Sequence, residues 1–373
     1  MMSYFKTYEK YIAKNQFHNG KSNIIPSKLL YDVFIVIPVY DELDYLLHTL
    51  ESIESQSSDI NFLVIIVINN SCDDLDSIKS NNKKLYQLLK NIKYKYEFIL
   101  LDCFSKKHAL KKQHSGVGWA RKIGMDFCIQ YSHSNSLLCC IDADTLIHRH
   151  YISIIFQQYQ NTLFCAGVVN FSHQKSDNKQ INKNIKSYEK ILKDNAEKLQ
   201  KINSPYGYVS MGSTIVCTVK AYIKVGGMSK KKATEDFYFL QKLAKYKGIY
   251  NIKDILVFPS PRAEQRVYLG TGFRMKSMLQ GDSIINLKIS QKALNSIELF
   301  YQSINVSWNM SIKLLLLKIK EKDYFLWKFL VDHNCECSLL SIKENVKTKE
   351  QFVSQCHKWF DNFKIYRYAN QVR

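Results

Sequence analysis

Two strand-length apolar runs near the front of the chain, Phe34-Ile35-Val36-Ile37 and Phe62-Leu63-Val64-Ile65-Ile66-Val67-Ile68, contain no polar alternation. A strand wet on one face alternates apolar and polar residues, so an unbroken β-branched run is one covered on both faces. Between and after these runs come stretches with helical spacing: Leu43, Leu46, Leu47, Leu50 and Ile53, then Tyr86 to Ile92. Phe98 to Leu101 reads as a third strand, Ala120 to Ile129 as a helix and Leu137 to Ile141 as a fourth strand. Such alternation predicts an α/β fold, with a parallel sheet carrying helices on both faces.

Ligands in sheets of this kind bind beyond the carboxyl ends of the strands. Those ends are polar here: Pro38-Val39-Tyr40-Asp41-Glu42, Asn69-Asn70-Ser71 and Asp142-Ala143-Asp144. Two carboxylates two residues apart at a strand end can converge on one hard divalent cation, Mg2+ or Mn2+, which keeps positions open for phosphate oxygens. The ordinary alternative is a solvated turn with a capping aspartate. Thr234-Glu235-Asp236 opens an apparent helix. Acidic residues there complement the helix dipole, or supply a general base for a hydroxyl. Gly116-Val117-Gly118-Trp119-Ala120-Arg121-Lys122-Ile123-Gly124 puts glycines at a helix start and a cation one turn in, suited to a diphosphate. It lacks the Gly-Lys-Ser/Thr ending of a P-loop.

Composition removes several classes. The ten cysteines form no CxxC pair, and Cys335-x-Cys337 has no histidine at finger spacing, which disfavours zinc fingers and redox motifs and fits a reducing compartment. Met1 to Ser27 mixes lysines with polar residues and has no signal-peptide core. No apolar run approaches the roughly 18 residues of a membrane span, so the expectation is a cytoplasmic chain not integral to a membrane. The formal charge is +20, and Lys79 to Lys122 holds twelve Lys/Arg against two acidic residues. Nucleic acid, an anionic membrane surface, an anionic small substrate or a plainly solvated face would each account for it. No nucleic-acid motif accompanies the charge.

The expected organisation is an N-terminal extension over 1–30, a catalytic α/β domain over 31–281 and a mainly helical region over 282–373. Gln180 to Ile202 and Thr234 to Tyr246 read as helices, with Met211-Gly212-Ser213 leading into the apolar Thr214 to Val219 and a break at Gly226-Gly227. After the second acidic segment, Ser260-Pro261-Arg262 and Arg266 precede Gly270-Thr271-Gly272. This stretch reads either as a loop whose Arg262 and Arg266 close over a diphosphate or as a surface turn.

The order of these pieces resembles the family 2 glycosyltransferases of the GT-A fold, a Rossmann-like α/β/α sandwich that uses nucleotide-diphospho-sugars. Ile35-Val36-Ile37-Pro38-Val39-Tyr40-Asp41-Glu42 looks like that family's first strand and turn. Val67 to Asp74 resembles its second strand and acidic turn. Ala120-Arg121-Lys122-Ile123-Gly124 is similar to its Ala-Arg-Asn-x-Gly helix. Ile141-Asp142-Ala143-Asp144 resembles its DXD metal motif, and Gly212-Ser213, Gly226-Gly227 and Glu235-Asp236 resemble its acceptor side. The similarity runs from Val33 to Tyr246. It implies that Pro38, Val39, Tyr40 and Glu42 line the nucleotide pocket and that Asn69 sits by the base. It implies that Arg121, Asp142, Ala143 and Asp144 bind the donor, with Asp144 on the metal and Asp142 on the metal or the ribose. Gly212, Ser213, Arg262 and Arg266 would belong to the acceptor side or lid. Asp236 would be the catalytic base with Glu235 beside it, and a base that activates a hydroxyl implies direct displacement with inversion. Asn69 stands where the family usually carries aspartate. Glu264-Gln265-Arg266-Val267-Tyr268 departs from the Gln-x-x-Arg-Trp of processive synthases. No histidine lies where a third metal ligand would follow the base.

The expected partners are a UDP- or GDP-sugar, a divalent cation (Mn2+ or Mg2+) and an acceptor that is a sugar, a lipid-linked sugar or a small molecule. The basic segment and helical tail admit peripheral docking on an anionic inner leaflet. Two other readings remain at this stage. One is a nucleotidyltransferase of similar sheet, against which stands the absence of a basic glycine-rich loop after the first strand. The other is a non-catalytic basic binding protein, against which stand the four intact carboxylates.

Overall fold

The computed structural model describes residues 2–15, 22, 25–231, 233–264 and 270–372, the first few by backbone alone. Among them lie eight strands: β1 (Tyr31–Val39), β2 (Phe62–Asn69), β3 (Phe98–Cys103), β4 (Ser132–Cys140), β5 (Leu146–Ile147), β6 (Ala166–Phe171), β7 (Ile215–Thr218) and β8 (Tyr250–Phe258). They form one sheet in the order β3-β2-β1-β4-β7-β6-β8-β5. The pairs β3/β2, β2/β1 and β1/β4 are parallel, as the apolar runs require. From β4 onward the sheet is mixed: β7 runs antiparallel to both β4 and β6. Val33–Ile37 and Leu63–Ile68 are wholly buried, so these runs form the centre of the core.

The helices that occur along the chain up to residue 282 are α1 (Met2–Asn15), α2 (Leu46–Glu54), α3 (Asp76–Asn91), α4 (Val117–Ile129), α5 (Tyr151–Thr162), α6 (Lys179–Lys201), α7 (Val219–Lys224), α8 (Glu235–Lys247) and α9 (Thr271–Leu279). Helix α3 begins ten residues before its legible apolar stretch, because its first turns are polar and solvated. Strand β4 likewise starts at Ser132, where Ser136 donates to the Tyr31 carbonyl at 2.7 Å in place of an apolar contact. Helix α1 is fastened through Tyr11, whose hydroxyl donates to Asp126 Oδ1 at 2.6 Å. Lys122 Nζ donates to the same hydroxyl at 3.0 Å and to Asp126 Oδ2 at 2.7 Å, and the Tyr222 hydroxyl donates to Asp126 Oδ1 at 2.7 Å. Every member of this buried cluster is therefore paired, as burial of charge demands.

The chain divides into two compact units, residues 1–189 with 210–282, and residues 190–209 with 283–373. The second contains α10 (Gln291–Val306), α11 (Ile312–Lys322), α12 (Tyr324–Asp332), α13 (Cys335–Asn345), α14 (Lys349–Trp359) and α15 (Asn362–Gln371). Ser290, Ser311, Asp323, Thr348 and Asp361 each accept a backbone N–H two to three residues into the next helix, which starts these short helices cleanly. Phe300, Phe329, Phe352, Phe360 and Tyr368 fill its core. Among the described residues no helix is long and apolar enough to cross a membrane.

Candidate active site

The turn after β1 is shaped by its neighbours. Asp41 takes a left-handed backbone (φ 58°). Its N–H donates to Asn82 Oδ1 at 3.1 Å, and its carboxylate accepts from Asn81 Nδ2 at 2.9 Å. Asn82 is buried on α3 and donates to the Asn69 carbonyl and to Asn70 Oδ1 at 3.1 and 3.0 Å. Asn69 Nδ2 in turn donates to the Val39 carbonyl at 2.8 Å. The ends of β1 and β2 are thus cross-braced by amides. Among the described residues, buried Asn69 Oδ1 has no hydrogen-bond partner.

Asp142-Ala143-Asp144 leaves β4 in a turn held from three sides. The Ile141 N–H donates to the Val36 carbonyl at 3.1 Å. Thr49 Oγ1 donates to the Ala143 carbonyl at 2.8 Å, and Gln174 Nε2 donates to the Asp144 carbonyl at 2.9 Å. Rigid backbone on both flanks fixes where the two carboxylates emerge. Asp142 retains 35% of its side-chain exposure and Asp144 17%.

Two arginines divide the carboxylates between them. Arg121, one turn into α4 and buried, pairs Nη2 with Asp142 Oδ1 and Nη1 with Glu235 Oε1. Gly212 lies against that guanidinium, where any Cβ would collide with it. Ser213 is buried beside it in sequence, its Oγ without a partner. Arg262, from the segment after β8, places Nε 2.7 Å from Asp144 Oδ2 and Nη2 2.6 Å from Glu42 Oε1. It also lies 3.2 Å from Glu264 Oε1, and its guanidinium stacks over Tyr45 at 4.3 Å. Arg266 lies outside the described residues.

Glu235 and Asp236 open α8, after Thr234 in a left-handed conformation. Burial raises the pKa of both carboxyls; Arg121 acts against it, and the neighbouring carboxylates add to it. Glu235 is committed to Arg121, whereas Asp236 accepts the Phe237 N–H at 2.7 Å through Oδ1. The structure brings together Arg121, Asp142, Gly212, Glu235 and Asp236 as one group, and Glu42, Asp144 and Arg262 as another. The Asp142-Ala143-Asp144 turn joins the two. Pro38 lies within β1, in register with Val67, Val39 ends the strand and is buried, and Tyr40 is half-buried in the turn. Asn82, Tyr45, Thr49 and Gln174 shape the site but carry no motif. Their one sequence signal is a polar residue on an otherwise apolar helix face, as at Asn82 and Thr49.

Residues 34–217 match the family described as Glycosyl transferase family 2. Solved structures of similar outline include Staphylococcus aureus TarS residues 1–349 in complex with UDP-GlcNAc, with 12% identity, 92% of each chain covered and a TM-score of 0.45. Another is the mannosyltransferase PcManGT from Pyrobaculum calidifontis in complex with GDP-Man and Mn2+, with 11% identity, 100% of this chain and 93% of that chain covered and a TM-score of 0.41. No curated protein matches the chain. The match over 34–217 spans the strands and turns that carry Glu42, Asn69, Arg121, Asp142 and Asp144, and it sets aside the nucleotidyltransferase and the non-catalytic binder. Residues 34–217 thus carry a glycosyltransferase family 2 domain, and the protein is a glycosyltransferase.

Proposed function

We propose that the protein moves a sugar from a UDP- or GDP-linked donor to an acceptor hydroxyl with inversion, using Asp236 as base and a divalent cation at Asp142 and Asp144. One observation carries this reading: buried Arg121 bridges Asp142, one candidate metal ligand, to Glu235, the residue next to the candidate base, so the strand-end turn and the acidic helix start meet at one guanidinium.

The donor set suits such a cation. Asp142 and Asp144 are oxygen ligands on a braced turn, and a guanidinium already rests on Asp144 and Glu42, so the pocket is one that holds positive charge. Among the described residues no third His, Cys, Asp or Glu completes a cluster, which suits an ion that takes its remaining ligands from water and phosphate. When bound there, the ion would neutralise charge developing on the leaving diphosphate. Asp236 is the better base of the acidic pair, because Glu235 is spent on Arg121 and a raised pKa makes a carboxylate a stronger acceptor of the hydroxyl proton.

The test is turnover of UDP- and GDP-sugars in the presence of simple sugar acceptors, with Mn2+, with EDTA and with Asp144→Ala. Nucleotide release that requires the metal and Asp144, with an inverted anomeric product, supports the reading. Release indifferent to EDTA and to Asp144→Ala overturns the metal site, and a retained anomer overturns the base.

A further inference from the structure

Arg262 holds an unusual position for a residue expected to close over a bound diphosphate. Its guanidinium lies inside the acidic pocket, its side chain 14% exposed. Its guanidinium spans carboxylates from three parts of the chain: Glu42 after β1 at 2.6 Å, Asp144 after β4 at 2.7 Å and Glu264 at 3.2 Å. The Tyr45 ring backs its face. Three donors of a planar fork are thus matched to three carboxylates, a geometry that a lysine ammonium does not reproduce.

This arrangement has a consequence for cation binding. An oxygen of Asp144 accepts the Arg262 Nε–H, and a divalent ion on the same carboxylate would stand within a few ångströms of a fixed positive charge. Like charges at such separation repel strongly where water is scarce. A nucleoside diphosphate removes the conflict, because its oxygens accept the same N–H donors and bring negative charge of their own. We propose that Arg262 is a resident counter-ion that makes metal binding conditional on the donor: it holds Glu42 and Asp144 until a diphosphate takes over its guanidinium, and Asp144 then passes to the ion. Metal and nucleotide become mutually dependent, and by linkage each raises the affinity of the other by the same factor. The inference rests on the metal reading of Asp142 and Asp144.

The experiment titrates Mn2+ alone, by the loss of its free electron-spin signal, into wild type, Arg262→Gln and Arg262→Lys, then repeats the titrations with saturating UDP and with GDP. In wild type, Mn2+ alone binds at least tenfold more weakly than Mn2+ with the preferred nucleotide. In Arg262→Gln, Mn2+ alone binds at least tenfold more tightly than in wild type, and the gain from nucleotide shrinks. Arg262→Lys, which keeps the charge and loses the fork, falls between them, and it decides the question if Arg262→Gln melts early. If wild type binds Mn2+ with nucleotide but neither variant binds it more tightly without, the counter-ion role is overturned and the metal site stands. If no form binds Mn2+ even with UDP or GDP, the metal site itself falls and takes this inference with it.

Discussion

Gly212 and Arg121 fit together only because one of them has no side chain: a Cβ at position 212 would overlap the guanidinium that joins Asp142 to Glu235. The atoms in the way are the far end of a long side chain, so the fold can yield by displacing Arg121. Because Arg121 is held in two ion pairs that such a shift strains, Gly212→Ala is expected to cost the roughly 1–3 kcal/mol typical of overpacking without unfolding the protein. It should nevertheless lower kcat by about 10²-fold, the effect of a misplacement of about 1 Å in a catalytic group. Comparing thermal midpoint with kcat checks this. Full activity in Gly212→Ala would show that the Arg121 bridge is dispensable.

Glu235 and Asp236 are neighbours whose loss should look different. Asp236→Asn takes away the proposed base, and on that proposal should reduce kcat by about 10²–10⁴-fold while leaving the melting temperature close to wild type. Glu235→Gln leaves the buried Arg121 with one carboxylate fewer, and breaking a buried pair costs on the order of 3–5 kcal/mol, so this variant should melt early. Equal loss of stability in both variants would mean that Asp236 is a structural residue.

The pH profile follows from the same burial. As the proposed base, Asp236 acts in its ionised form, so activity should be lost as pH falls through its pKa. Burial raises that pKa, with Asp142 adding to the rise and Arg121 opposing it. The acid limb of kcat/KM should accordingly lie above the ordinary aspartate value of about 3.9. A limb at or below that value would show that the ionising group is solvated and is not Asp236.

The sheet was legible where physics acts locally. Strands β1 and β2 announce themselves because burial on both faces forces unbroken apolar runs, and α8 because Glu235 and Asp236 precede an apolar helix. The polar start of β4 and of α3 did not: β4 opens with polar residues among which Ser136 bonds the distant Tyr31 carbonyl, and the first turns of α3 from Asp76 are solvated and carry no apolar period. The site splits in the same way. Asp142 and Asp144 were visible as a strand-end pair, but Arg121 meets Glu235 across 114 residues and Arg262 meets Glu42 across 220. No spacing rule reaches that far. Asn82 left only a faint mark, one asparagine on the face of α3 that also carries Leu85 and Leu89, and that mark does not reveal which loops it braces.

The N-terminal helix offers a test of fold that does not touch the chemistry. Tyr11 donates to Asp126 and accepts from Lys122, both buried. Tyr11→Phe fills the same space and removes the hydroxyl, leaving Asp126 with one donor fewer and Lys122 with one acceptor fewer. Unsatisfied buried groups cost about 1–3 kcal/mol, more when charged. Chemical denaturation should register that loss, and an unchanged midpoint would show that α1 is held by packing alone.

The helical unit carries its own pH sensor in His357. Burial pushes its pKa down to about 4, and among the described residues one ring nitrogen, Nδ1, has no partner in a site where the tilted Tyr301 ring lies 4.3 Å away. Unfolded, the same imidazole titrates near the ordinary value of about 6.5. Between these values the unfolded chain binds more protons than the folded one, so stability rises with pH across that window. Stability from this group is full above about pH 6.5 and falls as pH drops towards 4, by about 3 kcal/mol at most, given 1.36 kcal/mol per pKa unit. His357→Gln removes the titrating group, and the slope of stability against pH in that window should flatten relative to wild type. Denaturant melts at a series of pH values measure both slopes. Parallel slopes would mean that His357 is solvated in the folded protein and that acid sensitivity arises elsewhere.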